Sequence, residues 1–386
     1  MTAPRVPLKD QLFHRGKVAL IAAQIHAVHR AFRRDAFVEQ ATERLAQLEL
    51  KQRIAWIADC LRTHLPRDYR RAVNVLLGSL PAPCDPERTD GEFGDFIYAT
   101  YSEFVAQRGR GDRDLEFSLA ALKEITTRFS AEDAIRTFIN AFPDRTMATL
   151  LAWTGDEHYH VRRLCSEGSR PRLPWARRLA LPATAAIPIL DRLFDDRTRF
   201  VTRSVANHLN DITKTDPDAV VQILRRWRDS GRQPPREMDY IVRHATRSAI
   251  KAGHPPTLAL LGVSTGPHVT ISEIMVPRHV DLDTELAFSV GLLAEEDAKV
   301  VVDYMLYFPG PSGEITRRKI YKLRQLTLLA GRQVNLTKRH PLQANMTTRK
   351  IYPGRHELEI LINGAPHGRH PFWIRDSALP ARPRQP

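Results

Sequence analysis

From about Leu8 to Leu261 apolar residues recur at three- and four-residue steps, the period of helices with one buried face. Val18, Ile21, Ile25, Val28 and Phe32 make one such stripe, and residues 41–65 repeat it with Leu45, Leu48, Ile54, Ile57 and Leu61. Pro66 punctuates that run, and Pro81, Pro83, Pro86 and Gly91 mark a loop before the next helical stretch. Beyond residues 262–267 the character changes to β. Segments 268–276, 285–293, 299–308, 317–323, 333–337, 356–362 and 371–374 read as short strands rich in Val, Ile, Leu and aromatic residues. Gly, Pro and Asn turns separate them, and Asn363-Gly364 is a hairpin signal.

The helical part contains an internal repeat. His160-Val161-Arg162-Arg163-Leu164-Cys165, Phe200-Val201-Thr202-Arg203-Ser204-Val205 and Tyr240-Ile241-Val242-Arg243-His244-Ala245 start 40 residues apart, and Ala120-Ala121-Leu122-Lys123-Glu124-Ile125 fits one period earlier. Two amphipathic segments per period of this length predict a stacked helical solenoid, because no single unit can bury its own apolar face. The expected fold is therefore multidomain α + β. An α-solenoid of HEAT-like helical repeats over residues 1–264 is followed by an immunoglobulin-like β-sandwich over 268–376, without the Cys pair of antibody domains. Residues 377–386, rich in Pro and Arg, are expected to be a disordered tail.

Charge adds a partner to this picture. The 386 residues carry 58 Lys and Arg against 44 Asp and Glu, a formal net charge of +14, which predicts attraction to polyanions. With 42% hydrophobic residues the chain has enough apolar surface for ordinary cores. Only Cys60, Cys84 and Cys165 are present, a set too sparse for a disulfide framework or a zinc pattern. The first 17 residues lack the apolar stretch of a signal peptide, and the apolar run 18–28 is too short to span a bilayer. A cytoplasmic protein with no membrane partner is the expectation, with monomer as the default.

In a solenoid, equivalent positions line one face. Lys123, Arg163, Arg203 and Arg243 would then form a basic stripe at steps of about 10 Å, the diameter of a packed helix, along which a phosphate backbone could lie. The alternative is that these residues pair with inter-repeat carboxylates such as Asp156 and Asp196. Two segments interrupt the helical pattern. In Cys165-Ser166-Glu167-Gly168-Ser169-Arg170-Pro171-Arg172-Leu173-Pro174-Trp175, Gly168 and Pro171 end a helix, leaving Glu167 on its last turn and Trp175 displayed after a rigid turn. One repeat later, in Ser204-Val205-Ala206-Asn207-His208-Leu209-Asn210-Asp211, Asn207 takes the register of Glu167, and Asp211 lies one turn on, on the same face. Two carboxylates among Arg residues suit the stabilisation of a cationic sugar.

These two segments, with 124–136, resemble the motifs of the AlkC-type alkylpurine DNA glycosylases of the HEAT-like AlkC/AlkD superfamily, and the likeness extends over the helical part. Thr347-Thr348-Arg349-Lys350-Ile351-Tyr352-Pro353-Gly354-Arg355-His356 resembles the immunoglobulin-like extension of one AlkC group. The resemblance implies excision of 3-methyladenine, and also of 3-methylcytosine, from duplex DNA without a base-binding pocket. A cationic base is already a good leaving group, so the enzyme chiefly stabilises an oxocarbenium-like sugar and positions water. On that reading Glu167 and Asp211 are the catalytic carboxylates, with Glu124 as a third candidate. Trp175 packs on the sugar–phosphate. Arg162, Arg163, Arg172 and Arg203 hold phosphates, and Lys123, Arg170, Asn207, His208 and Arg243 complete the DNA-facing set. For each carboxylate the competing assignment is a salt bridge to a neighbouring repeat, and for His208 a packed helix histidine.

Trp153 stays open between core and a second sugar contact. His158 and His160 would point to opposite sides of a helix, so no metal is expected, and no cofactor motif is present. The rival class is a non-catalytic solenoid that binds DNA or protein. For the basic β part, two roles stand beside each other, a grip on the DNA strand and a protein-interaction module.

Overall fold

The computed structural model describes residues 6–87, 93–264, 268–346 and 349–376. Gly91, Thr265, Gly266, Pro267, Thr347, Thr348 and the expected tail 377–386 lie outside the described residues. The chain divides into two compact units: Met1–Ile212 with Arg226–Ala245, and Thr213–Arg225 with Thr246–Pro386.

The first unit is helical, and the four register segments fall on the helices Leu115–Thr126, Tyr159–Gly168, Arg199–Thr213 and Pro235–Ala245. Local chemistry sets several of the ends. Asp68 accepts a hydrogen bond from the Arg71 amide at the start of Tyr69–Gly78, and His158 accepts one from the His160 amide at the start of Tyr159–Gly168. His158 is thus a cap rather than a helical residue. The stripe from Val18 occupies Arg15–Val28, where Val18, Ile21, Ala22 and Ile25 are buried. Residues 41–65 are not one helix. Arg34–Glu43 ends before a single turn at Leu45–Gln47, and Leu50–His64 restarts from a capping box between Glu49 and Gln52. The apolar period survives that break because the short turn keeps Leu45 on the buried side.

The Tyr159–Gly168 helix packs against Leu115–Thr126, Pro143–Trp153 and Ile187–Leu193, and all ten of its residues are buried. Gly168 is required at its end, since a Cβ there would come within 2.5 Å of Ile135 Cγ2.

The second unit holds a β-sandwich. Its strands are β1 (Val269–Met275), β2 (His279–Asp281), β3 (Glu285–Ala294), β4 (Ala298–Pro309), β5 (Ile315–Leu328), β6 (Val334–Pro341), β7 (Asn345–Met346), β8 (Arg349–Lys350), β9 (Gly354–Ile362) and β10 (Ala365–Arg375). One sheet has the order β1-β3-β6, a second β2-β10-β9-β4-β5, and β7 pairs with β8. Alternating residues of β3 (Leu286, Phe288, Val290, Leu292) meet Val300, Val302, Tyr304 and Leu306 of β4 in one apolar core. Asn363 and Gly364, both with positive φ, form the two-residue turn between β9 and β10. β2 escaped the pattern because three residues show no alternation; it is recruited by parallel pairing with β10.

Candidate active site

Glu167 occupies the last turn of Tyr159–Gly168, and the chain leaving that helix is held by a buried arginine. Arg136 donates from Nη1 to the carbonyls of Gly168 (2.9 Å) and Arg170 (2.7 Å), and from Nε to that of Arg177 (2.5 Å). Burial lowers the Arg136 guanidinium to about 10, still charged at neutral pH. Its carbonyl bonds turn Arg170 back towards Glu167.

The Arg170 guanidinium joins two carboxylates. Nη1 donates to Glu167 Oε1 at 2.5 Å, while Nε and Nη2 both lie 3.0 Å from Asp211 Oδ2. The other Glu167 oxygen, Oε2, accepts from Ser204 Oγ at 2.6 Å and faces Arg163 Nη2 at 3.7 Å. Ser204 Oγ also lies 3.0 Å from Ser166 Oγ, and its one proton serves either that oxygen or the carboxylate. Burial pushes the Glu167 carboxyl up, but Arg163, Arg170 and the Ser204 hydroxyl outweigh it and hold the group below the usual carboxylate range. Glu167 is therefore an anion inside the protein. Burial likewise opposes the Arg170 charge, and Glu167 and Asp211 more than restore it.

Arg163 extends the chain outward. Its Nη1 donates to Glu132 Oε2 (2.9 Å) and Ser130 Oγ (3.1 Å), and its guanidinium lies 4.6 Å from the centre of the Phe200 ring. The result is an alternating series, Glu132–Arg163–Glu167–Arg170–Asp211. Three carboxylates and two guanidiniums leave one net negative charge in it. Glu167 and Asp211 are buried, whereas Glu132 keeps 29% of its side chain exposed. A fixed anion with a partly open carboxylate beside it can stabilise developing positive charge and accept a proton from water.

The structure brings Glu167, Asp211, Arg163 and Arg170 together and leaves Glu124 apart. Glu124 is half exposed on the Leu115–Thr126 helix and pairs with Arg128 one turn on. The carboxylate missed from sequence is Glu132, eight residues further in the same segment. The signal was its neighbour Ser130, whose hydroxyl donates to it at 2.8 Å and shares its arginine.

Several residues expected to face DNA are internal. Arg162 is buried and bidentate on Asp196 (2.6 and 3.1 Å), with Nη1 on the carbonyls of Asp156 and Glu157. It ties two repeats and offers no free donor fork to a phosphate. Lys123 pairs with Asp156 at 2.5 Å and sits over the half-buried Trp153 ring, so Trp153 is not a core residue. Arg170, outside the column, is likewise held by carboxylates, and within it Lys123 and Arg163 are both paired, so the repeat column is no uniform basic stripe. His208 is fully buried with Nδ1 3.0 Å from the Ser166 carbonyl oxygen, and burial lowers it to about 4. It is a neutral packed histidine that touches the backbone beside Glu167, not a DNA contact.

Arg172, Trp175 and Arg243 are exposed; Arg203 and Asn207 are half-buried, with Asn207 Oδ1 2.8 Å from His244 Nε2. Trp175 is 81% exposed and has a positive φ of 58°, a strained conformation for a side chain of that size. Among the described residues no group of three or more His, Cys, Asp or Glu is placed to hold a metal, and no helix is long and apolar enough to cross a membrane.

Comparison with known proteins agrees with this organisation. Residues 98–252 match the family model described as DNA alkylation repair enzyme, and residues 270–376 match that of the C-terminal Ig-like domain of the uncharacterised protein YhaZ. YhaZ of Bacillus subtilis is 31% identical over 355 residues, covering 89% of this chain and 94% of its own. Among solved structures, Pseudomonas fluorescens alkylpurine DNA glycosylase AlkC, bound to DNA containing an abasic site analog, superposes with a TM-score of 0.84. It is 36% identical, and the match covers 96% of this chain and all of the other.

Proposed function

The chain belongs to the AlkC-type family of DNA alkylation repair enzymes, and on that premise we propose that it hydrolyses the N-glycosidic bond of cationic alkylated bases in duplex DNA. The bases in question are 3-methyladenine and, beside it, 3-methylcytosine. The observation that carries this reading is the buried Glu167–Arg170–Asp211 bridge, with Glu167 held as an anion. Burying charge is costly unless it is paired, and this series holds one carboxylate more than its two guanidiniums balance, unlike the one-to-one Arg162–Asp196 pair that ties two repeats.

A methylated base that carries positive charge departs without a general acid. The sugar left behind gains oxocarbenium character, and Glu167 with Asp211 stabilises it in a site where charges are weakly screened. Glu132, the most exposed carboxylate of the series, is the acceptor for a proton of the attacking water. Trp175 packs on the sugar–phosphate of the lesion, and Arg172, Arg203 and Arg243 hold phosphates. The helical residues 1–264 act as the glycosylase domain. The basic sandwich 268–376, with Arg317, Arg318, Lys319, Lys322, Lys338, Arg339 and Lys350, grips the duplex in the cytoplasm as part of a monomer.

The test is release of 3-methyladenine from methylated duplex DNA by the wild type, Glu167→Gln and Asp211→Asn. Release by the wild type and a drop of about 100-fold in either variant is expected. Unchanged release by both variants overturns the site, and no release by the wild type overturns the enzyme in favour of a binding scaffold.

A further inference from the structure

Trp175 stands at a backbone position that its residue type does not favour. The Ala176 amide donates to the Leu173 carbonyl at 3.3 Å, closing a β-turn with Pro174 and Trp175 at its centre. The positive φ of Trp175 falls at the second central position, where Gly or Asn is usual. A bulky side chain persists in such a conformation only where the surroundings over-determine it.

The contacts that do so come from two distant parts of the helical unit. Lys51, in the first turn of the Leu50–His64 helix, donates from Nζ to the Trp175 carbonyl at 2.7 Å. The same Nζ lies 2.7 Å from Asp133 Oδ2, and the other oxygen, Oδ1, accepts from the Arg177 amide at 3.3 Å. One ion pair thus holds both the carbonyl of Trp175 and the amide two residues on. Downstream, Arg177 Nη1 donates to Thr137 Oγ1 at 2.7 Å, which anchors the exit of the turn. Asp133 is also the sequence neighbour of Glu132. The segment 130–133 therefore delivers Glu132 to Arg163 and Asp133 to the turn of Trp175. The most exposed carboxylate of the series and the displayed indole are tied to one stretch of backbone.

We infer that Lys51 and Asp133 are positioning residues, whose ion pair locks the 173–177 turn and holds the Trp175 indole in register with Glu132. That the indole meets the lesion rests on the glycosylase reading. A partly exposed ion pair contributes little to stability by itself, so its effect is expected in the geometry of the turn rather than in folding.

The test uses the full-length protein carrying 5-fluorotryptophan at its five Trp positions, with the Trp175 resonance assigned by its loss in Trp175→Phe. Lys51→Met removes both contacts of the ammonium, and Lys51→Arg keeps donor and charge. In Lys51→Met the Trp175 fluorine resonance should narrow towards that of a mobile side chain while the other four stay in place, and Lys51→Arg should restore it. Asp133→Ala, which cuts the pair from the other side, should give the same change. Single-turnover base release in Lys51→Met should slow by about tenfold or more at unchanged DNA affinity. The same substitution should add nothing in a Trp175→Ala background.

An unmoved Trp175 resonance in Lys51→Met overturns the lock. Additive losses in Lys51→Met and Trp175→Ala overturn the link between the pair and the indole. A slope of log K against log salt reduced by about 1 in Lys51→Met makes Lys51 a phosphate contact, and overturns its positioning role. Absence of base release by the wild type overturns the glycosylase reading, and the fluorine resonances, which need no DNA, then decide the lock by themselves.

Discussion

The Tyr159–Gly168 helix and strand β4 are both interior elements, but they bury opposite kinds of residue. The helix takes His160, Arg162, Arg163, Ser166 and Glu167 inside. Strand β4 buries every residue except Lys299, and Asp303 is the one carboxylate among them. The two acids respond in opposite directions. Burial raises Asp303 despite Lys251 and Lys322, whereas Glu167, also desolvated, is lowered because two guanidiniums and a hydroxyl face it. Depth alone does not set protonation; the partners built around a group do. The sandwich interior serves stability, and the helix interior maintains a charge that can act on something else.

The largest effect is expected from cutting the bridge. Arg170→Met removes the guanidinium that Glu167 and Asp211 share and should cost roughly 3–5 kcal/mol of stability in urea titrations, together with base release. Leu306→Ala in the sandwich should lose roughly 2–5 kcal/mol through its cavity, yet leave base release per folded molecule unchanged. Equal loss of activity in both would break the contrast between the two interiors.

Acid should separate them next. His208 ionises at about 6.5 when unfolded and about 4 when folded, so below pH 6.5 the unfolded chain binds the extra proton. Stability falls between pH 6.5 and 4 by up to roughly 3 kcal/mol, and His208→Gln should flatten that window. A smaller change of sign comes from the two acids. Asp303 has a raised folded pKa, so its contribution is present at low pH and lost as pH rises; Asp303→Asn should stabilise at pH 7, on the order of 1 kcal/mol. Glu167 has a lowered folded pKa, so its contribution is present above the ordinary carboxylate range and lost on acidification; Glu167→Gln should destabilise at pH 7. Matching signs would show that the guanidiniums do not govern Glu167.

The smallest expected effect concerns DNA affinity. Arg317→Gln and Lys319→Gln on the exposed side of β5 should each reduce the slope of log K against log salt by about 1 if the sandwich grips phosphates. An unchanged slope would make the sandwich a module for another purpose.

Much of the architecture was legible from periodicity alone. The 40-residue register found corresponding helices, the Gly168-Pro171 punctuation placed Glu167 at a helix end with Trp175 displayed beyond it, and Asn363-Gly364 located a hairpin. These are local properties, carried by steps of two to four residues and by the backbone preferences of Gly, Pro and Asn. What tertiary structure decided were the partners. The pairing of Arg162 with Asp196, the placing of Glu132 and not Glu124 beside Arg163, and the burial of His208 all depend on groups brought together from different repeats. A residue's charge is written in the chain, but whether that charge is spent inside or offered outside depends on which neighbour lies within about 3 Å, and that distance exists only after the repeats have stacked.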